Sequence, residues 1–454
     1  MPIGLLALQP AAAVPLFAGQ TGMPCKQCHI GALGPQLTPY GRNFKIKGYT
    51  LNGGEGLASK IPFAIWVQSG YENYQKNIPT DQITPHYNGN NNAGVDAVSF
   101  FYGGRLTEHV GAFIQFTYDN TVKAIAQDNS DVRYIGDTEL FGSDVDYGFS
   151  LNNAPGLSDP YNSNYIWGYP YISPFLAIGP NAGPILGSPA SAQSNSVGIV
   201  GYTWIDQHIY VDLGGYETQP PGLQKVLGET YTSGSSTGIE PYASAQYAWF
   251  WGNNNAHVGG AFFYGRYNPT VGAKARSSDG EFGHDTYADF QIDNGYQYIG
   301  DEAKHVVTVD GFLTFESQNL RGTSNPLNPN FGSSQPNNNV NEFREWITYY
   351  YKATYGVTVA FDKIWGKRNE GLYNTGQDGT GSIKGSPNSQ FFIFEGDWVP
   401  FGKEDSWLRP FANVKIGLQY TLYTEFNGTN NNYDGFGRNA GDNNTLFLFA
   451  WTVF

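Results

Sequence analysis

Short stretches in which apolar and polar residues alternate recur along most of this chain. Val414, Ile416, Leu418, Tyr420 and Leu422 form one face of such a stretch, with Asn413, Lys415, Gln419 and Thr421 on the other. Val110, Ala112, Ile114, Phe116 and Tyr118 alternate in the same way with Gly111, Gln115 and Thr117. So do Val307, Val309, Leu313 and Phe315 with Thr308, Asp310, Thr314 and Glu316. A period of two marks a β-strand with unlike faces, because successive side chains leave the pleat on opposite sides. Read along the whole chain, the pattern predicts about 16 strands.

The connections between these strands alternate in length. Long polar ones fall at 75–94, 152–194, 218–238, 319–340, 367–387 and 427–443, and tight turns fall between them at 106–109, 206–207 and 252–255. Long loops at one end and short turns at the other are expected of an antiparallel β-barrel that crosses an outer membrane, and a soluble sandwich has no reason for them. The expected fold is therefore all-β: an outer-membrane antiparallel barrel over residues 59–454. Its apolar face meets lipid, and its polar face, including Asp310, Glu316, Asp362 and Lys415, lines the lumen. Both chain ends lie in the periplasm. The last stretch, 446–454, is strand-like and ends on Phe454, as such barrels commonly do.

Composition agrees. Aromatic residues make up 16% with 32 tyrosines, glycine numbers 58, and charged residues are only 14%. No segment approaches 18 consecutive apolar residues, so no transmembrane helix is predicted. A formal charge of −14 repels nucleic acid and excludes a basic-patch binder. Acidic loops can concentrate a cation such as Fe²⁺, although they are also ordinary in barrels of this kind.

Ahead of the first strand the chemistry changes. Residues 1–13 are a short apolar run ending in Ala11-Ala12-Ala13, which reads as the remnant of a secretory signal without its basic start. Residues 14–58 contain Cys25-Lys26-Gln27-Cys28-His29, which uses both cysteines of the chain. C-x-x-C-H is the c-type haem signature: two thioether bonds fix the porphyrin, and the histidine ligates the iron from one face. Three other uses of the pair compete. A redox C-x-x-C normally sits near a βαβ pattern, and none surrounds this one. A zinc site needs a further Cys or His nearby, and the next histidine is His86. A disulfide across two residues leaves His29 unexplained. One covalently attached haem c on Cys25, Cys28 and His29 is the expectation.

After the motif, Thr38-Pro39 reads as an N-cap with proline at the first helical position, and Gly48 closes the helix. Tyr40 and Phe44 share one face of it, Arg42 and Lys45 another. The aromatics are candidates to cover a porphyrin and Arg42 or Lys45 to meet a haem propionate; the alternative is a small solvated helix. Fewer than about 60 residues rarely hold a core of their own, so haem or docking must staple this segment.

The N-terminal block resembles the fused monohaem cytochrome–porins of the bacterial outer membrane, which act as iron oxidases. The matching residues are Val14-Pro15-Leu16-Phe17-Ala18, Gln20 to His29, Leu37 to Arg42, and Phe44-Lys45. A second match is Tyr147 to Asn153 followed by Asp159-Pro160-Tyr161-Asn162. The resemblance implies oxidation of extracellular Fe(II) at a single haem and delivery of the electron to a periplasmic c-type cytochrome. Cys25, Cys28 and His29 carry over as haem attachment and proximal ligation. The rivals are a general electron conduit with another donor, and a diffusion porin with a mainly structural haem plug.

A single haem serving both sides of the membrane is best placed if the N-terminal segment enters from the periplasm and plugs the lumen. Met23 is awkward as the ligand opposite His29, being two residues from Cys25. Strand parity turns His109, His208 and His257 toward the lumen as candidates for that position, and His305 outward.

Overall fold

The computed structural model describes residues 15–164, 175–186, 196–228, 235–269, 282–328 and 332–454. Residues 1–13, read as a leader remnant, lie outside them. Sixteen strands form the wall: β1 (Phe63–Tyr74), β2 (Ala93–Arg105), β3 (Val110–Asp119), β4 (Ala124–Leu140), β5 (Ser143–Asn152), β6 (Ser196–Ile205), β7 (Ile209–Thr218), β8 (Glu240–Trp251), β9 (Asn254–Asn268), β10 (Asp285–Ile299), β11 (His305–Leu320), β12 (Asn337–Tyr351), β13 (Tyr355–Gly366), β14 (Ser389–Trp398), β15 (Asn413–Glu425) and β16 (Thr445–Val453). Each is antiparallel to the next, and β16 pairs back onto β1 with Trp66 opposite Val453, which closes the sheet. A two-residue strand, Ser235–Ser236, adds onto the end of β9.

The alternation decides which face is which. The apolar positions are the exposed ones: Leu418 is 50% accessible, Ile347 54% and Val359 47%, while Gln419, Thr348 and Thr358 are buried. A soluble protein would reverse this, so the outer surface is built for lipid. Inside, several charges are paired. Arg133 Nε lies 2.7 Å from Asp131, Arg344 meets Asp362, and Lys415 Nζ lies 3.4 Å from Glu395 and 3.6 Å from Asp397. Burial makes each pair expensive to break, since the remaining charge would lose its partner away from water.

The connections follow the predicted asymmetry with two exceptions. One end of the barrel carries short turns such as 141–142, 206–208, 252–253 and 352–354, but 399–412 is long. The other end carries the long loops, yet β3 and β4 are joined there by 120–123 alone.

Two segments occupy the interior. The N-terminal segment, with α1 (Pro15–Thr21), α2 (Cys25–Cys28) and α3 (Pro39–Ile46), lodges in the short-turn mouth. From the other end, residues 153–164 of the connection after β5 fold inward to meet it. Leu16, Phe17, Phe44 and Tyr49 pack with Phe101, Phe113, Phe447 and Trp451 of the wall in one apolar cluster. The segment's core is thus shared with the barrel, which resolves how so short a piece stays folded.

The candidate functional site at the barrel mouth

The site is built on two short helices held face to face. Thr38 caps α3 as its sequence predicts: its Oγ1 accepts from Gly41 N at 3.1 Å, Pro39 takes the first helical position, and Gly48 (φ +63°) ends the turn beyond it. Thr38 N donates to Cys28 O at 3.0 Å, which ties α3 to the motif. Gly41 makes the contact possible, because a Cβ there would stand 2.1 Å from Cys28 O. The wall continues the grip. Lys26 N donates to Gly402 O at 3.2 Å, Lys26 Nζ pairs with Glu404 at 2.8 Å, and Arg409 donates to Gly22 O. Asn413 Nδ2 donates to Ala32 O at 2.9 Å. The long 399–412 connection is therefore a clamp on the Cys25–His29 turn.

Cys25 and Cys28 are both free thiols and half-buried. Burial pushes Cys25 up to about 11 and Cys28 up to about 12, so neither is a ready thiolate. Burial likewise holds His29 down at about 4, only partly opposed by the Gly34 backbone, so the imidazole is neutral at ordinary pH. Its Nδ1 is buried without a well-formed hydrogen bond. Two unbridged thiols on one helical turn, followed by a neutral imidazole with an unsatisfied nitrogen, are a donor set that suits covalently held haem. Among the described residues no group of three or more His, Cys, Asp or Glu side chains is arranged to hold a bare metal ion.

The neighbouring candidates have other partners. Arg42 is buried, donates to Asn255 Oδ1 at 2.9 Å and lies over the Tyr161 ring at 4.7 Å. Lys45 is buried and donates to Asp159 O at 2.5 Å and Asn162 Oδ1 at 2.7 Å. Burial, with Arg133 nearby, holds the Lys45 ammonium down at about 7. The solvated-helix alternative is excluded for both. Phe44 is enclosed by Phe17 and Tyr49, with ring centroids at 5.0 and 5.9 Å, whereas Tyr40 is partly open.

Strand parity misplaces two of the three histidines. His109 is exposed at the rim, its Nδ1 3.1 Å from Ile135 O and its ring beside the outward Tyr134. His208 lies against Tyr247 and Phe250, with Nδ1 2.7 Å from Ala248 O. Both belong to turns, where the strand's alternation no longer fixes direction, and both are spent on rim contacts. His257 does face inward and is buried, but its ring is stacked on Tyr161 at 3.5 Å. Its Nε2 is 3.5 Å from Asp293. His305 is exposed, as expected.

Its architecture is that of an outer-membrane barrel of porin size. No family model matches the chain, and no curated protein does. Solved structures with a similar outline include the outer membrane channel DcaP of Acinetobacter baumannii, at 9% identity and TM-score 0.46 over 86% of this chain and 96% of that one. OprB of Pseudomonas putida matches at 10% identity and TM-score 0.47 over 86% and 93%. An anion-selective porin from Comamonas acidovorans matches at 12% and 0.44 over 86% and 98%. At this distance they carry no functional argument, and the barrel rests on its own hydrogen-bonded register.

Sequence reasoning missed the 399–412 clamp and the placement of Asp159–Asn162 inside the lumen. A long connection where the alternation demands a short one was the available signal for the first.

Proposed function

We propose that this protein is a plugged outer-membrane barrel that transfers electrons through one haem c at its periplasmic mouth. The observation that carries the reading is the fastening of the Cys25–His29 turn at the short-turn end, by α3 from within and by 399–412 from the rim. Short turns belong on the periplasmic side of such barrels, which supports reading both chain ends as periplasmic. Cys25 and Cys28 would hold the haem and His29 would supply a nitrogen ligand; the bound group would supply a one-electron acceptor. Gly41, Thr38 and Lys26 orient the attachment turn. Arg42 and Lys45 hold the segment to the wall and the inner loop rather than standing free for a propionate.

The donor in this reading is Fe(II) arriving from the outer side, and the acceptor is a periplasmic c-type cytochrome meeting the inner mouth. A second reading has its own support. The segment packs into the mouth through apolar and hydrogen-bonded contacts of its own, so the barrel also suits a general conduit with a different donor, or a porin whose haem is chiefly a structural plug.

One experiment separates them. Purified protein is assayed for covalent haem by mass and by its reduced absorption bands, and the oxidised form is then mixed with Fe²⁺ at acidic and neutral pH. Reduction within seconds supports iron oxidation. Covalent haem that Fe²⁺ leaves oxidised removes that donor and keeps the conduit; absence of covalent haem removes the electron-transfer reading altogether.

A further inference from the structure

The Asp159-Pro160-Tyr161-Asn162 turn lies outside the Cys25–His29 turn and is tightly organised inside the lumen. Asp159 builds it: its carboxylate accepts from the backbone N–H groups of Tyr161, Ser163 and Asn164 at 2.8, 2.7 and 2.9 Å, and from Ser163 Oγ at 3.0 Å. The turn then presents three groups to the N-terminal segment. Asp159 O and Asn162 Oδ1 receive the Lys45 ammonium, Asn162 Nδ2 donates to Pro35 O at 2.9 Å, and the Tyr161 ring meets both Arg42 and His257. The Tyr161 and His257 planes are within 14° of parallel, and the Arg42 guanidinium lies 4.7 Å from the centroid of the same phenol ring.

The contacts around the segment are unevenly distributed. On the side of β1, β2, β3 and β16, from which the chain enters the wall, they are largely apolar. On the far side, toward β9, β10 and β11, they are mostly polar, with Ile30 against Ile299 and Val306 the apolar exception. Arg42 reaches Asn255 there, Gln36 donates to Asp310 at 2.8 Å, and Gln297 donates to Leu37 O at 2.9 Å. Further hydrogen bonds tie the segment to β4, β5 and β6 through Asp131, Asp146 and Tyr202. Apolar burial holds one edge regardless of small shifts, because it is non-directional; hydrogen bonds release abruptly once their geometry is lost.

We infer that the Asp159–Asn162 turn is a socket for residues 35–45, and that seating in it is what keeps the barrel closed to ions. The inference rests on the position of the segment and not on haem. Its consequence is a second activity: with the socket emptied, the segment swings about its apolar edge and the barrel conducts.

Single-barrel conductance in planar bilayers tests this on the full chain, alongside amide hydrogen exchange. Wild type is expected to be closed for most of the record. Tyr161→Leu combined with Asn162→Ala should raise the open fraction at least tenfold and speed exchange across residues 41–48 at least tenfold, leaving strand amides unchanged. Tyr161→Phe keeps the ring and should behave as wild type. Unchanged conductance and unchanged exchange in the double variant overturn the proposal. So does faster exchange throughout the strands, which would make the turn a general stabiliser of the barrel, and so does a wild type that is already open.

Discussion

Replacing Gly41 by alanine sets two effects of opposite sign against each other. In a helix whose exposed face carried the glycine, alanine would stabilise by about 1 kcal/mol through reduced chain entropy. Here the new methyl would stand 2.1 Å from Cys28 O, and 3.0 and 3.1 Å from Cys28 C and Cα. None of those atoms is the mobile end of a side chain, so relief requires α3 and the motif to separate by roughly an ångström, which also strains the Thr38 N to Cys28 O bond. Overpacking of this kind costs about 1–3 kcal/mol, and with backbone on one side the upper end applies. The net expectation is a loss of about 2 kcal/mol in local stability, or about a 30-fold fall in amide protection over α3. Hydrogen exchange followed by mass spectrometry measures it directly, with strand peptides as the internal reference. Gain of protection in α3, the result expected of a solvated helix, would refute the close packing of α3 on the Cys25–His29 turn.

Lys45 gives a pH dependence. Its folded value of about 7 lies below the ordinary 10.5, so between these values the unfolded chain binds the proton that the folded one has lost. Stability of the seated segment should therefore rise with pH from about 7 to 10.5, by at most about 1.4 kcal/mol per unit, with the full penalty present below 7. Lys45→Met should abolish that slope in exchange measurements across α3. On the lipid face, Ile347→Arg should cost about 2–4 kcal/mol, seen as reduced folding yield into vesicles, whereas a soluble barrel would tolerate it. Cys25→Ser with Cys28→Ser should leave the heat-modifiable folded band on gels intact while removing all covalent haem; loss of the band would make haem essential to the barrel itself. Trp451→Ala, which opens the apolar cluster at the mouth, should cost about 3–5 kcal/mol in thermal stability.

Strand number and facing were legible because period-two alternation needs only the identity of neighbouring residues. Leu418 outward and Lys415 inward follow from the pleat once lipid is recognised as the solvent. The capped helix after the motif was equally readable, since Thr38, Pro39 and Gly48 act within one turn of themselves. His109 and His208 were misread because they sit where strands end, and a turn decides side-chain direction by its own dihedral angles and neighbours. Arg42 and Lys45 were left between a haem propionate and a solvated surface, because the sequence had no means of showing what they meet.

What sequence alone determined here is local chemistry and periodicity: a Cys25–His29 turn with C-x-x-C-H spacing, followed by a wall of strands with unlike faces. What only tertiary structure decided is which distant pieces share the mouth of the barrel. The Cys25–His29 turn is held by residues nearly four hundred positions away, at Gly402 and Asn413, and α3 is seated by a turn more than a hundred residues downstream. Closing the sheet from β1 to β16 creates those neighbours, and no pattern written along the chain records a contact that exists only after closure.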